Sequence, residues 1–233
     1  MSEPRDSTAF EVRDAFGEGG CPVCRLAVAA VDHHIATIAY EGVNDIAFRD
    51  RLRAAGGFCP SHAYRWLHDS HNVLGTALIY RDLLSAAHRE LQDAQPSGNL
   101  FARWRRSAAR RDDAPDAGAT LACPVCKTQR EAEARYLDAL YAVLSEPEGS
   151  EAFLRSDGLC VPHARVALAR GGQAGGRVQA HLLDVLTRLL AVLDEVIRKE
   201  DYRFRHEPRT EEERTAPATA VAMAVGDDSL VRR

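Results

Sequence analysis

The sequence predicts an all-α protein built as a tandem duplication of a helical unit, and two observations carry that expectation. Cys-Pro-Val-Cys occurs twice, at 21–24 and at 123–126. Each copy is followed by a Cys-x-x-His, Cys59-Pro-Ser-His62 after 34 residues and Cys160-Val-Pro-His163 after 33. The offsets between copies are 102 and 101, and the two constellations use all six cysteines. Apolar residues elsewhere recur with the 3.6-residue period of a helix, and no stretch alternates with the two-residue period of a strand.

Taken in order, residues 7–16 read as a short leading helix. The first Cys-Pro-Val-Cys then opens a helix, because proline at the first helical position is already shaped for the turn and gives up no needed N–H. Ala47-Phe48 through Leu52-Arg53 form an amphipathic stretch that matches Ala152-Phe153-Leu154-Arg155 in the second copy. Glycines follow both stretches, and Gly57 and Gly158 are expected to supply a tight turn that swings the Cys-x-x-His inward. A long helix is predicted over 73–94, with Leu78, Ile79, Leu83, Leu84, Ala87 and Leu91 on one face. Its counterpart over 176–199 has apolar residues at 178, 182, 185, 189, 192 and 196, spaced 4-3-4-3-4. Residues 1–95 are thus expected as a first repeat, 96–118 as a linker, 119–202 as a second repeat and 203–233 as a disordered tail without sustained period.

Composition narrows the role. The 233 residues are 45% apolar and 27% charged, as in an ordinary globular protein, and the net charge of −4 argues against a general nucleic-acid binder. No run approaches the length of a membrane helix, and MSEPRDSTAF lacks the basic start and apolar stretch of a secretory signal. A cytoplasmic location is therefore expected, where paired cysteines serve as metal ligands or redox thiols more often than as disulfides. Abundant arginine and alanine beside scarce lysine suggest a high-GC bacterial source.

The chemistry lies in the paired motifs. Cys-x-x-Cys brings two thiols to one ion, and Cys-x-x-His supplies the other two corners of a tetrahedron. The expected ligands are Cys21, Cys24, Cys59 and His62 at one site and Cys123, Cys126, Cys160 and His163 at the other. Crossed pairing, Cys21 and Cys24 with Cys160 and His163, is the alternative, and the shorter loops favour closure within each half. Zinc, two ions per chain, is the expected cofactor, since it is redox-inert and suits three sulfurs and one nitrogen. A site with one net negative charge is favoured where two helix N-termini converge. Arg25 and Lys127, each next to the second ligand, read as solvated basic residues. The other histidines do not recur between copies and read as ordinary, and no catalytic constellation is found, so no enzyme is expected.

The doubled motifs, matched at all eight ligand positions across roughly 17–200, resemble an uncharacterised family of bacterial cytosolic proteins with repeated Cys-x-x-Cys and Cys-x-x-His pairs. The resemblance implies metal binding and brings no established activity. The function expected is a zinc-stabilised helical module that binds another protein or regulates it. The alternatives are a zinc–thiolate redox sensor, an iron–sulfur electron carrier, or a nucleic-acid binder acting through the cluster Arg103–Arg111 around Trp104.

Overall fold

Helix-starting prolines and helix-stopping glycines divide the chain much as expected. The computed structural model describes residues 4–93 and 123–227, and none of these lies in a strand. Helix α1 (Pro4–Ala15) leads to α2 (Pro22–Tyr40), and a 3-10 turn at Gly42–Asn44 separates α2 from α3 (Ile46–Ala54). Next come α4 (Pro60–Asp69) and α5 (Val73–Asp93). From Cys123 onward the chain forms α6 (Pro124–Ser145), α7 (Pro147–Leu154), α8 (Val161–Arg170), α9 (Gly172–Glu200) and α10 (Glu211–Val225). Among the described residues no helix is long and apolar enough to cross a membrane. The expected linker at 96–118, with its arginines at 103–111, lies outside the described residues.

Each motif falls where its chemistry requires. Asp45 caps α3 by accepting from the Ala47 N–H at 2.8 Å. At the other end of α3, Gly56 has φ +73°, its N–H bonds Arg53 O at 3.0 Å, and the Gly57 N–H bonds Leu52 O at 2.8 Å. That pair of bonds is a Schellman stop, and it turns the chain directly into Cys59. Gly158, φ +76°, makes the corresponding turn before Cys160. Here the turn is braced from outside, by His181 of α9, whose Nε2 lies 3.0 Å from Ser156 O.

The chain forms two compact units, and their membership corrects the expected halves. Among the described residues one comprises 4–28 with 132–227, the other 29–93 with 123–131. The boundaries fall inside α2 and inside α6, so each of these helices begins in one unit and continues into the other. In the first unit Phe16 meets Phe153 edge-on with ring centroids 5.6 Å apart, and Phe153 in turn meets His181 at 5.0 Å. In the second, Trp66 is fully buried, stacks on Phe58 at 5.7 Å and donates its indole N–H to Thr76 Oγ1 at 2.9 Å. Val31, Ile35, Phe48, Leu52 and Ile79 complete that core together with Cys59, Cys123 and Cys126.

The tail expected to be disordered from 203 is instead a chain reversal followed by α10. Thr210 and Glu213 form a reciprocal capping box, each side chain bonding the other's backbone N–H, at 3.1 and 3.0 Å. Glu213 is buried against Lys199, which donates to both carboxylate oxygens at 2.8 Å and holds the acid below its usual range. The helix escapes a periodicity reading because only Glu213, Ala216 and Met223 are buried and Pro217 stands inside it.

Replacing Gly158 by alanine tests the turn. A Cβ there would sit 2.9 Å from His181 Cδ2 on a backbone with φ +76°. Strain from the left-handed backbone alone is about 1–2 kcal/mol, so the variant should lose about 2 kcal/mol or more in a denaturant titration. An unchanged midpoint would contradict the close packing of His181.

Candidate metal centre

Cys160 and Cys59 are the N-caps of α8 and α4, with nearly the same backbone geometry (φ −62°, ψ 158° and φ −64°, ψ 161°). The first helical carbonyl bonds agree as well, Ala164 N–H to Cys160 O and Ala63 N–H to Cys59 O, both 2.8 Å. Cys21 and Cys123 hold the same place before α2 and α6, with Arg25 N–H to Cys21 O and Lys127 N–H to Cys123 O both at 3.1 Å. In every case the second ligand lies three residues on, one helical turn later and on the same side.

These four helix starts meet in pairs, and the pairing is the crossed one. Cys21, Cys24, Cys160 and His163 form the first quartet, and Cys59, His62, Cys123 and Cys126 the second, with the ligand atoms of each within 4.8 Å of one another. Each quartet could hold a metal ion. All eight residues singled out in the sequence are thus brought together, while the local closure expected within each half is corrected. Loop statistics for a flexible chain mislead here because the intervening segment is mostly rigid. Helix α2, 19 residues, carries the chain about 28 Å from its start before α3 begins. A tight turn then leads into Cys59 in place of the stretched linker that a return would need.

The geometry suits a small tetrahedral cation. Zinc–sulfur bonds of about 2.3 Å and zinc–nitrogen bonds of about 2.0 Å imply edges of about 3.8 Å between sulfurs and about 3.5 Å between sulfur and nitrogen. Cys24 and Cys160 sulfurs are 3.6 Å apart, and Cys59 and Cys126 sulfurs 3.5 Å. His163 Nδ1 lies 3.5, 3.3 and 3.2 Å from the sulfurs of Cys21, Cys24 and Cys160. His62 Nδ1 lies 3.2 Å from those of Cys59 and Cys126 and 3.9 Å from Cys123. These separations are far from a sulfur–sulfur bond, and all six cysteines are free.

Within each quartet the sulfurs and the imidazole act on one another's protons. Burial raises the Cys21 thiol, but contacts from Cys160, Cys24 and His163 outweigh it and leave the group well below the ordinary thiol range. Cys123 is likewise held low, by Cys126 and Cys59 above all. Cys24 and Cys126 go the other way, pushed up by their sulfur neighbours and by burial. Burial lowers both imidazoles, yet the sulfurs raise His62 to about 9, and the sulfurs with Glu133 raise His163 to about 12. A divalent cation entering either quartet would displace the protons that these sulfurs and imidazoles hold.

Three residues not identified from the sequence support the quartets. Glu133 Oε1 lies 3.9 Å from His163 Nε2, on the side facing away from the sulfurs, where a carboxylate fixes ring orientation. His62 Nε2 is buried without a hydrogen-bond partner, so the two histidines are supported differently. His181 braces the turn into Cys160, and Gly226 lies against Cys24 and Cys160, where a Cβ would be 3.5 and 3.8 Å from their sulfurs. None of these has a recurring spacing to reveal it. Arg25 bonds Glu18 O at 2.7 Å and Lys127 lies 3.8 Å from Glu131, so the two basic neighbours are engaged with carboxylates and carbonyls.

Crossed pairing makes a chemical prediction that needs no metal. Mild diamide oxidation of the chelator-treated protein, followed by peptide mapping, should yield disulfides joining the 21–24 segment to Cys160 and the 123–126 segment to Cys59. A disulfide between Cys21 or Cys24 and Cys59 as the main long-range product would contradict the quartets.

Comparison with known proteins gives the family. An uncharacterised 23.9 kDa protein encoded in the xynA 3′ region of Caldicellulosiruptor sp. (strain Rt8B.4) is 30% identical over 217 residues, covering 91% of this chain and 97% of that protein. No solved structure matches the chain. The model of a family of unknown function, DUF6062, matches residues 5–221, and the chain belongs to that family.

Proposed function

We propose that the protein is a cytoplasmic zinc-binding helical module whose two ions are structural, and that it acts by binding or regulating another protein. One observation carries this reading: each quartet supplies four side-chain ligands within 4.8 Å of one another, three sulfurs and a nitrogen. Four protein ligands fill a tetrahedron and leave no corner for water or substrate, which is the pattern of a structural zinc site and not of a catalytic one. Three thiolates and a neutral imidazole select zinc over hard cations such as magnesium or calcium. Burial favours the structural role over redox sensing, since five of the six cysteines are buried and a sensor needs accessible thiolates. A matched order of helices, α2 to α5 and α6 to α9, with the motifs at matched places, supports descent from a duplicated unit.

Elemental analysis of the purified protein should find two zinc ions per chain. Cys21→Ser and Cys160→Ser should each cost one ion, and the double variant Cys21→Ser/Cys160→Ser no more than that same one. Cys21→Ser/Cys59→Ser should lose both. Structural zinc of this kind contributes on the order of 10 kcal/mol to folding, so each loss should also lower stability sharply. Absence of bound zinc, or visible absorbance from an iron–sulfur cluster, would overturn the reading.

A further inference from the structure

The two quartets differ in what covers them. All four ligands of the second are buried, whereas Cys21 of the first is half-buried. A cavity of about 90 Å³ opens onto Cys21, Cys24 and Cys160, and α10 forms its wall through Thr219, Ala222 and Met223. At the end of α10, Gly226 has φ +90° and comes close enough to Cys24 and Cys160 that a Cβ would touch both sulfurs. The last turn of α10 is therefore the cover of the first quartet.

That cover is fastened at its far end. The helix buries only Glu213, Ala216 and Met223. Its base is held by Lys199, which bonds Glu213 twice at 2.8 Å and Pro208 O at 3.0 Å, with both charged side chains 8% exposed. From Glu213 to Gly226 the helix runs about 20 Å. Helix α10 lies along α9 and α8, but Ala216 and Met223 are its buried apolar side chains. An element with so narrow a buried face is of the kind that opens locally before the rest of a fold does.

We propose that α10 is a detachable strap over the first metal site, so that an ion held by Cys21, Cys24, Cys160 and His163 exchanges only when α10 lifts. The second site exchanges independently of it. The inference rests on the metal reading given above. Linkage makes the effect mutual: an ion in the first quartet steadies the surface on which α10 lies, and a seated α10 slows the ion's departure.

Chelator competition tests the strap in the full-length protein loaded with two zinc ions. Mixed with excess chromophoric chelator, the chain should release its ions in two phases of one ion each. Lys199→Met removes the anchor, and Ala216→Lys places a charge in the seat of α10; neither touches a ligand. Each variant should accelerate one phase by about tenfold or more and leave the other within about twofold, a size typical of coupling between sites. In a Cys59→Ser background, which keeps only the first-site ion, the single remaining phase should be the accelerated one. Equal acceleration of both phases, or none in either variant, would overturn the strap. A starting protein holding fewer than two ions would instead overturn the metal reading itself.

Discussion

Two helix N-termini meeting on three sulfurs and an imidazole are the constraint from which the rest of each unit follows. Proline after the leading cysteine starts α2, α4 and α6 at the ligand, so the first turn of the helix carries the second ligand as well. The partial positive charge of two converging helix ends favours thiolate there. Glycine turns before Cys59 and Cys160 bring the second helix in at the required angle.

Crossing follows from rigidity. A helix that starts at a ligand pair points away from it, and α2 and α6 are 19 and 22 residues long. Each leaves the unit in which it begins and contributes its remaining length to the core of the other. The cysteines of the second quartet are consequently core residues in their own right, packed with Val31, Ile35 and Leu52. Small, weakly polar thiols sit in such a core at little cost, while thiolates there require a compensating positive charge. An imidazolium or a divalent cation can supply it.

The two quartets share ligands and local geometry but not surroundings. Glu133 stands behind His163, and Val31 occupies the place in α2, an offset of 102, that Glu133 occupies in α6. His62 has no such partner for its outer nitrogen. The second quartet is closed by core side chains, the first by a terminal helix held through one buried ion pair. Two sites with the same donors are thereby given different access.

The all-α class and the residues of the two quartets were legible in the sequence, because each depends on neighbours within a few residues: a proline one place on, a partner three places on, an apolar residue every third or fourth. Helix α10 was partly legible, since Thr210 and Glu213 spell a capping box, but its narrow buried strip left no period to read. Which pairs share an ion was not legible. That depends on where rigid helices deliver their ends, a property of lengths and turns summed over tens of residues. Glu133, His181 and Gly226 were hidden for the same reason, as their importance arises only from what the folded chain places against them.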